Sequence, residues 1–209
     1  LAAVEMPSAT IADAISTTML VLCDDNASTN PVTGGEDVRF SSESSRTEEV
    51  VHELEREYTV HPSRITLVDY DYLKPKVNLN ATLGDEQAEE VFDYPGGYDT
   101  PEDGQRYARL MLEAEEAERQ LLRGDGNVRR LVPGHWFTLT EHFRRDANAK
   151  YLITFVHHVG SAGQYRAWDR SAGLRYENDF YAIPFDTVYR PPRRTPRPPP
   201  RCRCGRPAG

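Results

Sequence analysis

One capped amphipathic helix, set in the middle of a run of short alternating segments, limits most strongly what this chain can fold into. Thr100 is a suitable N-cap, Pro101 fits the first helical position, and Glu102 and Asp103 complement the positive end of a helix dipole. Tyr107, Leu110, Met111, Ala114, Ala117, Leu121 and Leu122 then recur at helical spacing, and Gly124 reads as the stop. The spacing predicts a helix over 101–123 whose outer face, at Glu113, Glu115, Glu116 and Glu118, is acidic and solvated.

On both sides of that helix the period is two. Ile65, Leu67 and Asp69 alternate with Thr66, Val68 and Tyr70, and Lys76–Thr82 and Glu89–Tyr94 continue the pattern. Tyr94, Pro95 and Gly96 form a strand-ending turn, because proline fixes φ and glycine permits positive φ. After the helix come a short strand at Val128–Val132, a turn at Pro133-Gly134, and strands at His135–Glu141, Lys150–Gly160, Tyr165–Trp168 and Leu174–Pro184. Thr17–Cys23 is short enough for a buried strand, and 24–48 reads as a surface loop with one short strand near Val38–Ser41. Glu48–Val60 fits either a helix or a strand. Helix and strands together predict an α+β, mainly β class, with antiparallel strands dominant.

Charge divides the chain in two. Residues 190–209 hold seven arginines and no acid, so the first 189 carry 18 basic against 33 acidic groups. An acidic body repels nucleic acid and anionic lipid, which argues against a nucleic-acid partner. No window approaches the ~18 uncharged apolar residues of a membrane span, so stable membrane insertion is not expected. The Pro/Arg-rich segment cannot pack a core and reads as an extended linker or tail. Three cysteines, Cys23, Cys202 and Cys204, do not make a disulfide framework.

A search for chemistry finds little. His157 and His158 are adjacent in a strand and point to opposite faces, one inward and one outward, so they do not share a metal. Asp24 and Asp25 could serve a carboxylate/His hydrolase; the alternative is that they end a strand and cap a turn. Asp69 and Asp71 straddle Tyr70 and could hold a cation or pair with Arg or Lys. No HExxH, GxSxG, GxGxxG or P-loop string is present, and no cofactor is expected.

Several strings are familiar together: Leu20–Asp25 (LVLCDD), Ile65–Asp71 (ITLVDYD), Val91–Tyr98 (VFDYPGGY), the helix after Asp103-Gly104, Arg130–Thr140 (RLVPGHWFTLT), Tyr151–His157 (YLITFVH) and Tyr176–Pro192 (YENDFYAIPFDTVYRPP). In order and spacing they resemble the hub domain of type VI secretion spike proteins, the VgrG family, which are relatives of the hub proteins of contractile phage tails. The residues carrying the resemblance are Asp24, Asp25, Asp69, Tyr70, Tyr94, Pro95, Gly96, Tyr98, Pro133, Gly134, Tyr189, Arg190 and Pro191.

The resemblance implies β-barrel-like hub domains in a homotrimer that caps a hexameric inner tube. It further implies baseplate proteins and effectors or adaptors as partners, no enzymatic activity, and passage from the bacterial cytoplasm into a target cell or the medium on firing. A phage or prophage tail hub is the alternative. Trp136, Glu113 and Glu116 are candidate contacts toward a neighbouring subunit or tube ring. The expected organisation is an unassigned segment at 1–16, a hub-like domain at 17–189 with two subdomains about the helix, and the tail at 190–209. The start at Leu1 and the Arg/Cys-rich end suggest a chain shortened at both ends relative to that family.

Overall fold

The computed structural model describes residues 4–5, 19–20, 23–43, 48–161 and 175–192. In chain order the elements are β1 (Val4–Glu5), β2 (Met19–Leu20), β3 (Asp37–Phe40), β4 (Val50–Tyr58), β5 (Arg64–Asp69), β6 (Leu79–Gly84), β7 (Glu90–Asp93), α1 (Pro101–Arg119), β8 (Gln120–Gly126), β9 (Trp136–Thr140), β10 (Lys150–Ser161) and β11 (Arg175–Pro184). Strand is the dominant element and there is one α-helix among the described residues, so the class is α+β and mainly β.

Six strands close into a barrel in the order β10-β11-β8-β4-β3-β9. Pairing is antiparallel except at β3, which runs parallel to both β4 and β9. Closure pairs every strand on both sides within the barrel, while beyond it β10 extends past its three-residue pairing with β9 and β4 past its two-residue pairing with β3. The barrel is filled by inward residues from all six strands, among them Val38, Val51, Leu122, Phe137, Leu139, Tyr151, Ile153 and Phe180. Burying side chains of this size stabilises the fold by about 1.5–3 kcal/mol each. Phe180 meets Phe137 edge-on at 5.7 Å. Gly124 makes room for Phe180, since a Cβ there would lie 2.4 Å from its Cζ.

A second core lies outside the barrel. The sheet β6-β5-β7 presents Ile65, Leu67, Leu79 and Ala81 to α1, which returns Ala108, Tyr107, Met111 and Leu112. The predicted alternation of β5 therefore holds, and the predicted N-cap holds as well: the Thr100 hydroxyl accepts from the Asp103 amide at 3.2 Å.

The helix ends earlier than its apolar stripe predicts. α1 stops at Arg119 and β8 begins at once. Residues 120–126 find a ladder on each side, β4 and β11, and the Arg119 carbonyl accepts from the Thr59 amide at 3.0 Å. Tertiary pairing outweighs the helical propensity of Leu121 and Leu122. Gly124 is thus a strand residue rather than a stop.

Other boundaries also moved. Glu48–Val60 resolves as strand β4, with a bulge beside His52. Val128–Val132 is a turn, not a strand; Val128 and Leu131 pack inward onto the barrel core. β6 starts at Leu79 because Lys74–Val77 closes a turn, with Val77 N donating to the Lys74 carbonyl at 3.0 Å. Of Thr17–Cys23, only Met19–Leu20 is a described strand. Tyr165–Trp168, Cys202 and Cys204 lie outside the described residues.

Candidate functional site

The loop from β7 to α1 is built around Tyr98. Its ring lies buried between two glycines: a Cβ at Gly96 would sit 2.5 Å from Cε1, and one at Gly104 would sit 2.5 Å from Cε2. Its hydroxyl lies within hydrogen-bond reach of the carbonyls of Leu67 at 2.9 Å and Leu79 at 2.7 Å, so it spans β5 and β6. Asp69, at the end of β5, closes the arrangement. One of its carboxylate oxygens accepts from the amides of Gly97 and Tyr98, and the other from Tyr70 N at 2.7 Å. Burial, and secondarily the charge of Asp69, pushes the Tyr98 phenol above its ordinary value. Asp69, Gly96, Tyr98 and Gly104 thus form one lock between sheet and helix. In the sequence Gly104 belongs to the motif at the start of the predicted helix, and its short spacing from Tyr98 is the local signal for this packing.

A second arrangement joins the loop before β3 to the segment after β11. Asn26 is buried, and its side-chain amide donates to the carbonyls of Phe185 at 2.8 Å and Thr187 at 2.6 Å, while its oxygen accepts from Tyr189 N at 3.2 Å. The three bonds stand in for a strand ladder where no strand runs. Arg190 continues the clasp: Nε donates to Glu113 on α1 at 2.7 Å, and Nη1 to the Asp24 carbonyl at 2.8 Å. The Asp24-Asp25 and Tyr189–Pro191 strings, far apart in sequence, therefore meet. Asn26 escaped sequence reading because an Asn in a polar loop carries no periodic signal.

The remaining site residues are placed as follows. Asp25 caps the 3-10 turn Asn26–Ser28, accepting from Ala27 N at 3.1 Å. Asp71 caps its own turn through Leu73 N at 2.8 Å. Asp69 and Asp71 accept from backbone amides, and neither makes the expected salt bridge to Arg or Lys among the described residues. Tyr70 and Tyr94 are exposed, as is Phe92, near the β5–β7 side of the small sheet. The Tyr94–Pro95 peptide is cis. Gly134 takes φ 80° in the turn after Pro133, and its amide donates to Ile153 O at 2.8 Å.

Trp136 is engaged within the chain. The Lys150 ammonium lies 3.4 Å from its ring centroid, Phe185 packs edge-on at 5.8 Å, and Nε1 donates to Thr29 O at 3.3 Å. The acidic helix face is only partly solvated. Glu113 pairs with Arg190, Glu115 with His61 at 3.0 Å, and Glu116 with Arg119 at 3.2 Å. His157 and His158 do point to opposite faces, but both are exposed, since the β10–β11 ladder runs past the filled barrel; they contact Asp179 at 2.9 Å and Tyr176 at 2.5 Å respectively. Among the described residues, no three His, Cys, Asp or Glu side chains are grouped to hold a metal.

Between the barrel wall and α1 lies an open cleft of about 870 Å³, lined by Leu121, Phe155, Tyr181 and Ile183, by Glu57 and Glu118, and by Tyr189–Pro192. The surface thus offers packing, ion pairs and a groove.

Comparison with known proteins agrees with this architecture. The model of the phage tail baseplate hub (GPD) family matches residues 8–164. The type VI secretion system spike protein VgrG1b of Pseudomonas aeruginosa is 31% identical over 144 residues, which cover 66% of this chain and 19% of that protein. VgrG2a of the same organism is 29% identical over 182 residues, 82% of this chain and 22% of that protein. The tail protein from Neisseria meningitidis MC58 shares the fold over 83% of this chain and 50% of its own, with TM-score 0.53 and 15% identity. The chain spans about a fifth of the length of the curated relatives it matches. With the hub model matching most of its length, and a closed barrel joined to a helix-backed sheet, the chain belongs to the phage tail baseplate hub (GPD) family.

Proposed function

We propose that this chain is a structural hub component of a type VI secretion spike. Three copies form a ring that caps the hexameric inner tube, contacts baseplate proteins, and carries effectors or adaptors when the sheath contracts. Its work is mechanical, and it moves from the bacterial cytoplasm to a target cell or the medium on firing. The observation that carries this reading is where the family-marking residues are spent. Asp69, Gly96 and Tyr98 lock a sheet to a helix, and Asp24 and Arg190 clasp the chain. A body that transmits force needs fixed packing at these points rather than free functional groups. The spike relatives in Pseudomonas support the choice of machine. Trp136 and Glu116 remain the proposed contacts toward a neighbouring subunit or tube ring; Glu113 would contribute through its pair with Arg190.

The family model's own description favours a second reading, a tail hub of a phage or prophage. Co-expression with the inner-tube protein of the secretion system, and separately with a phage tail-tube protein, distinguishes the two. Co-elution with the secretion tube protein is expected. Co-elution with the phage tube alone would replace the first reading by the second, and co-elution with neither would remove tube capping from both.

A further inference from the structure

An apolar, basic knob and an apolar, acidic cleft lie at separate places on this chain, and each lacks what the other offers. The knob is the loop from β9 to β10, residues 141–149. Phe143 is 79% exposed there, stacked on the buried His142 ring at 4.2 Å and edge-on to Phe40 at 6.1 Å. The loop behind it is held in shape. The Asn148 side chain accepts from the His142 amide at 2.8 Å and donates to the His142 carbonyl at 3.0 Å, and the Arg144 amide donates to the His142 ring at 3.1 Å. Arg144 is paired with Asp146, but Arg145 is exposed and has no ion-pair partner among the described residues. The cleft between the barrel wall and α1 is the complement. Leu121, Tyr181 and Phe155, itself 48% exposed, give it an apolar lining. Glu57 and Glu118 also line it, and neither has an ion-pair partner among the described residues.

We propose that the Phe143 knob of one copy docks in this cleft of a second copy, as the anchor of the contact between neighbouring subunits. This docking rests on the three-copy ring proposed above and gives that ring a contact surface. Charge complementarity selects the occupant: the unpaired cation beside the knob is Arg145, and the two unpaired charges of the cleft are carboxylates. A phenyl ring seated in an apolar lining, with an arginine at its edge, is the composition of an interface anchor. The loop is already ordered, so docking it loses little conformational freedom. The knob does not fill the cleft of its own chain, since Phe143 is seated against Phe40 and His142 and no residue of 141–149 lines the cleft. Knob and cleft are different surfaces, so the contact can run head to tail, and head-to-tail contacts close into rings of identical copies when the rotation allows.

The test uses the full chain with the photo-reactive residue p-benzoylphenylalanine replacing Phe143, and with the same residue replacing Phe92 as an exposed control on β7, outside knob and cleft. Isotope-labelled and unlabelled protein are mixed before irradiation, so that products between chains are told from products within one. Position 143 is expected to join Leu121, Phe155 or Tyr181 of another copy, and position 92 is not. Arg145→Glu is expected to cut the yield several-fold, and so is Glu57→Lys with Glu118→Lys. Combining the three is expected to restore it, with the melting curve that of the parent throughout. Should a charge variant not fold, the position of the cross-link in the parent chain decides. An unchanged yield in both charge-reversed variants would overturn the docking. Light scattering on the same samples separates it from the hub reading. A threefold mass with no product from position 143 to the cleft, or with a product only within one chain, would overturn the knob-in-cleft contact and leave the trimer standing. A twofold mass with the cleft product would keep the contact and overturn the ring of three. A monomer mass with no product between chains would overturn both.

Discussion

Arg190 donates from Nε to the Glu113 carboxylate at 2.7 Å, with both side chains about three-quarters buried. This contact ties the segment leaving β11, the last barrel strand, to the middle of α1, the helix that covers the small sheet. Barrel and sheet have separate cores. They are joined covalently where β4 leads into β5 and where α1 runs into β8, and across space by contacts that include this ion pair and the His61–Glu115 pair.

The pair is partly shielded, so it exceeds a typical surface bridge but is still discounted for solvent. Arg190→Ala and Glu113→Ala are each expected to cost roughly 1 kcal/mol. In a double-mutant cycle read by urea unfolding, the two should be coupled by a similar amount. Additive effects would mean that the contact does not join the two cores.

Glycine in a helix interior normally gives way to alanine with a gain of up to ~1 kcal/mol. At Gly104 the sign is expected to reverse. The added Cβ would meet the Tyr98 ring at 2.5 Å, and overpacking should cost about 1–3 kcal/mol. At Gly160, where nothing lies within 4 Å of the added carbon, alanine should change stability by less than about 0.5 kcal/mol. Thermal melts of the two variants give the comparison.

Asn26 satisfies three backbone groups of residues 185–189. Asn26→Ala should cost about 1–3 kcal/mol by leaving those groups without partners. Asn26→Asp should cost at least as much, since it turns a second oxygen toward the carbonyls of Phe185 and Thr187. Hydrogen exchange should then rise at Tyr189, whose amide loses its acceptor in the alanine variant. Unchanged protection there would show that the clasp does not depend on Asn26.

The pH dependence has a defined sign. The Tyr98 phenol is raised in the folded state, first by burial and then by the charge of Asp69. The folded state therefore holds its proton to higher pH than the unfolded state. Its contribution is fully present below the unfolded value near 10.0, and is lost as pH rises through the higher folded value. The same sign applies to Tyr176, raised chiefly by burial. Urea midpoints from pH 8 to 12 should fall at the alkaline end, and Tyr98→Phe should flatten that fall while lowering stability at pH 8.

The sequence shows these features unevenly, and the reasons are local. The face of β5 and the start of α1 were legible because Ile65 and Leu67 alternate and because Thr100-Pro101 is a strong helix start. The end of α1 was not, because Leu121 and Leu122 suit a helix as well as a strand, and only pairing with β4 and β11 decides. β4 was ambiguous for the same reason: Val50, Val51, Leu54 and Tyr58 fit both periods, and a bulge at His52 disturbs the strict alternation. The string Tyr94–Tyr98 was recognisable as a marker. Its purpose was hidden, since the groups it locks onto, Leu67, Leu79 and Gly104, come from three other places in the chain. Asn26 and Glu113 make contacts more than 70 residues away, which no local pattern reports.

The central claim is that this chain acts as a trimeric hub. Light scattering after size exclusion, over a range of protein concentrations, tests it most directly. A mass three times that of the 23.7 kDa chain, unchanged on dilution, is expected. A folded chain that stays at its monomer mass at every concentration would contradict the hub role for this chain and leave its family membership as a statement of ancestry.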